Sequence, residues 1–190
     1  MNRADQEISA PSRRTMLKAG AGLLSGAMLP WGLSRAALAA DDHPALGSYP
    51  AGISGDSVFI GIALPRTGTY AVAGEDELKG YMLAIEHLNS GNELIRKISP
   101  HTTKGVLGKE VKYGVADSEA KPNTAVQVQS RFISENKAIL ITGSVSSAVA
   151  VACNKLAQRE KVLYLPGISG SNDTTGKDCV RYSFRQCFYA

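Results

Sequence analysis

Histidine, cysteine and charge are all scarce in this 190-residue chain, and each shortage narrows what the protein can do. The three histidines, His43, His87 and His101, stand far apart with no i, i+4 pair, so a metal site has little support and surface placement is the plain alternative. Charged residues make up 20%, and the net charge of +4 is unevenly spread. Arg3, Arg13, Arg14, Lys18 and Arg35 oppose only Asp5 and Glu7 in the first 40 residues, which leaves about +1 beyond them. That balance gives no electrostatic reason to expect a nucleic-acid partner.

The glycine signatures of nucleotide-binding and hydrolytic α/β enzymes are also missing. No G-x-G-x-x-G or P-loop follows the first apolar run, which passes instead into L-P-R-T-G-T-Y. The segment Gly143, Ser144, Val145, Ser146, Ser147 lacks the final glycine of a nucleophile elbow. The glycines at positions 20, 22 and 26 have no strand before them. An α/β enzyme therefore stays only as the rival hypothesis, and neither a cofactor nor a catalytic residue is expected.

No long unbroken apolar run occurs either. The weakly apolar stretch 19–33 contains four glycines and Pro30, too interrupted for a spanning helix of roughly 20 apolar residues. Before it stands S-R-R-T-M-L-K at 12–18, and after it Ala37, Leu38 and Ala39 form an A-x-A cleavage site. This stretch resembles a twin-arginine export signal, with Met16 where that pattern has phenylalanine. Residues 1–39 are expected to be removed on export to the periplasm, and 40–56, rich in Gly, Pro, Ala and Ser, to be a flexible tether.

What is present is a 44% hydrophobic composition and 19 glycines, as suits one turn-rich globular domain. Residues 58–64 are apolar on both faces, the mark of a strand buried between helix layers, and Pro65 ends them. A helix is expected over 74–89, with Leu78, Met82, Ile85 and Leu88 or Asn89 inward, Glu75, Asp76 and Glu77 in its first turn, and Glu77 among the outward residues. Residues 90–108 form an excursion with at most a helical turn near 93–98. A strand at 111–116 and a helix with Ala125, Val128 and Phe132 inward come next.

The richest stretch is 138–160. A short aliphatic strand stops at Gly143, and a helix with Val149, Ala152, Cys153 and Leu156 on one face starts near Ser147. Its N-terminal amides face out at the carboxyl end of a strand, where a carboxylate would sit well. The alternative is an ordinary βα turn whose serines only cap the helix. Residues 162–165 give a fourth strand and 180–184 a fifth. Strands alternating with helices imply an α/β fold: a doubly wound, mainly parallel sheet with helices on both faces. Cys153 reads as a core residue. Cys179 and Cys187 lie too far apart to pair if 180–184 is extended, and could pair only if the chain reverses after Phe184.

Five ordered segments, I-G-I-A-L-P-R-T-G-T-Y-A, G-Y-M-L-A-I-E-H-L-N, G-K-E-V-K-Y-G-V-A-D-S, T-G-S-V-S-S-A-V-A-V-A and L-Y-L-P-G-I-S-G-S-N-D-T-T, resemble the first lobe of a type I periplasmic binding protein. Within that class the chain resembles the branched-chain amino-acid (Leu/Ile/Val) receptors of ABC importers and their relatives for amides, urea and aromatic acids. The resemblance covers residues 58 onward. It departs from the family at 92–104, where a tight G-G-I-x-G-K turn is usual. It implies a small carboxylate- or amide-bearing ligand, such as an amino acid, an ABC permease as partner and no enzymatic reaction. It also implies that 57–190 is an N-terminal lobe whose second lobe is absent, so that the chain is a fragment or a truncated product.

Carried across by position, the carboxylate-binding turn falls on Val145, Ser146 and Ser147, with Ser147 supplying the gripping hydroxyl. A second grip falls on Gly167 and Ser169, and Thr69, Tyr70 and Ala73 would form the cleft lip. For Tyr70 the alternative is a loop aromatic packed on the helix, and Asp117 is expected to cap its turn. A ligand-sensing module of the same fold is the remaining alternative.

Overall fold

The computed structural model describes residues 52–100 and 102–187. The expected signal at 1–39 and most of the tether at 40–56 lie outside them. Four strands, β1 (Ser57–Leu64), β2 (Glu110–Asp117), β3 (Leu140–Gly143) and β4 (Leu163–Pro166), form one sheet in the order β2-β1-β3-β4, and every pairing is parallel. The helices are α1 (Ala71–Ser90), α2 (Glu93–Ile98), α3 (Pro122–Asn136) and α4 (Ser147–Glu160).

Helices cover both faces, as parallel pairing requires of a sheet with no solvated side. On one face Leu78 and Ile85 of α1 pack with Val58, Ile62, Leu64 and Val111. On the other, Ala125 of α3 and Val149, Cys153, Leu156 and Ala157 of α4 enclose Ile141 and Tyr164. Gly61 and Gly114 are direct cross-strand partners beneath Phe132. A Cβ on either would come within 2.8 or 2.6 Å of that ring, so the paired glycines make the hollow it fills.

Several expectations are corrected. Helix α1 begins at Ala71, one turn earlier than its apolar stripe indicated, so Glu75, Asp76 and Glu77 lie beyond the first turn and the dipole argument for them falls away. The early start is possible because Gly74 crosses the Pro65 carbonyl, where any Cβ would collide with backbone. Met82 is 45% exposed, and Tyr81, half-buried, packs against the core in its place. Residues 180–184 are not a fifth strand. They turn back on themselves and touch β4 by a single parallel bridge, with Tyr164 N donating to Tyr182 O at 2.8 Å and Phe184 N to Tyr164 O at 3.0 Å. The Ser183 hydroxyl binds Asn154 Oδ1 at 2.6 Å, pulling the segment toward α4 instead of along the edge.

Cys153 is buried in the α4 core, and burial pushes its thiol up to about 12, which makes it a packing residue. All three cysteines are unpaired, and Cys187 Sγ donates to the Ser169 carbonyl at 3.2 Å.

Candidate functional site

The sheet order sets where a crevice forms. From β1 the chain winds outward to β2, and from β3 it winds the other way to β4, so the connections diverge between the carboxyl ends of adjacent strands β1 and β3. In open α/β sheets a crevice forms at such a switch point. Its walls here are the loop 66–70 after β1 and the turn 144–146 after β3.

The turn after β3 is tightly made. Gly143 has φ 102° with its Cα against the Ala63 carbonyl, which no side chain would allow. Ser144 follows at φ 98°, costly for a residue with a Cβ, and is buried. Its hydroxyl lies 2.9 Å from the Tyr164 hydroxyl and 3.3 Å from Ser169 Oγ, while Tyr164 also donates to the Gly143 carbonyl at 3.2 Å. Gly167 N donates to that same carbonyl at 3.2 Å. The turn after β3 and the loop after β4 are therefore joined, because their strands are neighbours.

Beyond Ser144 the chain opens out. Val145 and Ser146 are half-buried and Ser147 is exposed. Ser146 is the N-cap of α4 at φ −74°, ψ 126°, yet its side chain makes no cap, so the first amides of the helix have no side-chain acceptor. Gly167 and Ser169 are buried and engaged inward, and Ile168 between them is 40% exposed. Arg185 Nη1 holds the far side of that loop by donating to Ser171 O at 2.6 Å.

Thr69 and Tyr70 are exposed on the opposite wall, and Ala73 is half-buried behind them. Tyr70, 45% exposed, is the N-cap of α1, where its carbonyl accepts from Gly74 N at 2.9 Å. The base of this lip is tied to β2. Asp117 accepts from Arg66 N at 2.9 Å, from the Thr67 hydroxyl at 2.7 Å and from Glu119 N at 2.7 Å. Although partial desolvation pushes this carboxyl up, those donors hold it below its ordinary value. Asp117 thus caps its own turn and also anchors the lip, a role that sequence reasoning missed.

Also missed was a half-buried acid with one fully buried oxygen. Glu77, expected to face solvent, turns inward from α1, and Tyr81 donates to its Oε1 at 2.7 Å. Oε2 is buried with no hydrogen-bond partner, and burial raises the carboxyl to about 7 despite the Tyr81 bond, which lowers it. The carboxyl packs on the bare Cα of Gly167, where a Cβ would overlap it. Thr142 Oγ1 lies 2.8 Å from the Tyr81 oxygen and 2.7 Å from the Leu165 carbonyl, and its single proton serves one at a time. The signal was present in the sequence: Gly74, Glu77, Leu78, Tyr81 and Ile85 share one helical stripe.

Among the described residues no group of three His, Cys, Asp or Glu could hold a metal ion, and no helix is long and apolar enough to cross a membrane. A cavity of about 320 Å³, lined by Ile53, Ser57, Phe59, Lys112 and Lys137, opens at the amino end of the strands, away from the crevice.

The sequence profile of the family described as periplasmic binding protein matches residues 57–188. An amino acid binding protein of Pseudomonas aeruginosa is 27% identical over 131 residues, 68% of this chain and 31% of that protein. Two solved structures share the fold at 26% identity, each over 70% of this chain and 33% of their own. One is a leucine binding protein from Thermotoga maritima, with a TM-score of 0.54. The other is an ABC-transporter solute binding protein from R. palustris in complex with benzoate, with a TM-score of 0.56. The chain thus spans about a third of the length of these relatives, which are binding proteins and not enzymes.

Proposed function

The chain belongs to the periplasmic binding protein family, and from that premise we propose that its crevice is one half of a binding site for a small carboxylate-bearing solute, an amino acid or an aromatic acid. The observation that carries this reading is the α4 N-terminus, which has no side-chain cap and presents exposed Ser147 at the carboxyl ends of β1 and β3. Amides without intrahelical partners and the positive end of the helix dipole suit an anion. Ser147 supplies a hydroxyl to the ligand carboxylate, Ser146 and Val145 shape the turn, and Thr69 and Tyr70 form the opposite lip. Because Gly167 N donates to the Gly143 carbonyl and the Ser169 hydroxyl is engaged with that of Ser144, they act as wall and support beside the ligand.

In the whole protein a second lobe would close over the ligand by hinge motion, and the closed form would deliver it to an ABC permease. Family membership implies a place outside the cytoplasm. Residues 1–39 would direct export by the twin-arginine route and 40–56 would tether the lobe that starts at residue 57. Replacing Arg13 and Arg14 by Lys should then leave precursor in the cytoplasm, and undiminished export would remove that route.

The site is tested by Ser147→Ala in calorimetric titrations with leucine and with benzoate. Loss of one hydrogen bond to a charged group should weaken binding by about 1.5–3 kcal/mol with the fold intact. Unchanged affinity would return Ser147 to a capping role.

A further inference from the structure

One buried carboxyl joins three parts of the fold at the edge of the crevice. Glu77 stands on α1, meets β3 through Tyr81 and Thr142, and packs directly on Gly167, the first residue after β4. Nothing in the binding reading above uses it. We infer that Glu77 is the positioning residue of the 167–169 loop and that it takes up a proton when an anion binds beside that loop. The second half of this inference rests on the carboxylate site proposed above.

The physical case starts from the orphan oxygen. An ionised carboxylate with one buried, unpartnered oxygen is poorly solvated, and the neutral acid avoids the much larger cost of burying a charge even though its new hydroxyl also lacks a partner. Burial, offset in part by the Tyr81 bond, already brings the group to about 7, within reach of ordinary solution pH. A second negative charge seated nearby disfavours the ionised form further. The proton comes from water and lands on Oε2, and no other bond changes. Conversely, a charged Glu77 weakens anion binding, and the bare Cα of Gly167 transmits any movement of the carboxyl to the loop.

The other titratable groups facing Glu77 do not compete. Tyr81 on its own helix and Tyr164 on β4 are phenols that burial holds neutral well above their ordinary range. Asp76 and Lys79, on the solvent side of α1, pair with one another at 2.8 Å. Thr142 and Gly143 of β3 and residues 167–171 contribute no titratable side chain. Within the cluster, only Glu77 changes charge near neutrality.

The test uses ¹⁵N-labelled full chain, with the amides of Gly167, Ile168 and Ser169 followed across neutral pH, without and with sodium benzoate. In the wild type the three amides should titrate together with a midpoint near pH 7, and benzoate should move that midpoint up by about half a unit or more. Glu77→Gln should abolish the titration. Tyr81→Phe, which keeps the acid but removes its donor, should raise the midpoint. Flat wild-type amides, the same titration in Glu77→Gln, or an unmoved midpoint in Tyr81→Phe would overturn the positioning role. If benzoate shifts the Ser147 amide but leaves the midpoint in place, the proton coupling is wrong. Benzoate that shifts no amide would sink the carboxylate site, and the coupling with it, while an intact pH titration would still uphold Glu77 as the loop's positioning residue.

Discussion

Tyr164 on β4 reaches across the sheet edge to place its hydroxyl 2.9 Å from Ser144 Oγ in the turn after β3, both groups being buried. The pair couples the two loops that border the crevice and helps hold Ser144 at φ 98°. Tyr164→Phe keeps the ring in the core but leaves Ser144 and the Gly143 carbonyl short of a partner. Because Gly167 N and Ser169 Oγ remain as partners, a loss of about 1 kcal/mol in urea unfolding is expected, the net worth of a hydrogen bond. A variant as stable as the wild type would show that the phenol bonds contribute nothing net.

Glu77 makes stability depend on pH in a defined direction. Its folded value, about 7, is raised above the ordinary 4.5, so the native state holds the proton more tightly than the unfolded chain. Its contribution is fully present below about pH 4.5 and is lost as pH rises through about 7. Relative to wild type, Glu77→Gln should gain up to about 3 kcal/mol by pH 8 and little at pH 5, an order-of-magnitude figure from the size of the shift. Denaturant titrations of both proteins at the two pH values check this. A difference independent of pH would contradict it.

Asp117 ties down the lip that carries Thr69 and Tyr70. Asp117→Ala removes the acceptor for Arg66 N, the Thr67 hydroxyl and Glu119 N. The group is largely solvated, so global stability should fall by only about 1 kcal/mol. Local opening should rise far more: amide exchange at 66–70 should speed up several-fold while α4 is unchanged. Uniform acceleration across the domain would mean that Asp117 supports the fold and not the lip.

The parallel sheet was legible because β1 carries an apolar run with no polar face, and because the 138–160 stretch switches from a short aliphatic run to helical spacing at Gly143. The helix at 93–98 was legible only as at most a helical turn, and Asn92, whose side chain accepts from Leu94 N at 2.9 Å, starts it. The inward turn of Glu77 was misread because its charge argued for solvent, although it shares the stripe of Gly74, Leu78, Tyr81 and Ile85; what turns that stripe inward is the crossing of Gly74 over Pro65, a tertiary contact. Residues 180–184 misled for the same reason. Their apolar character is real, but the bond from Ser183 to Asn154, 29 positions away, decides their path. In the crevice, the position of the serine turn could be read, whereas the inward commitment of Ser169 to Ser144 needed the β3-β4 register to appear.

If a small carboxylate seats on the α4 N-terminus as proposed, amide chemical shifts read that position directly. With leucine, and separately benzoate, added to millimolar concentration, the largest shifts are expected at 145–149, with smaller ones at 69–70 and 167–169. Shifts confined to Ile53, Phe59 and Lys137 at the amino-end cavity, or no shift from either compound, would contradict it.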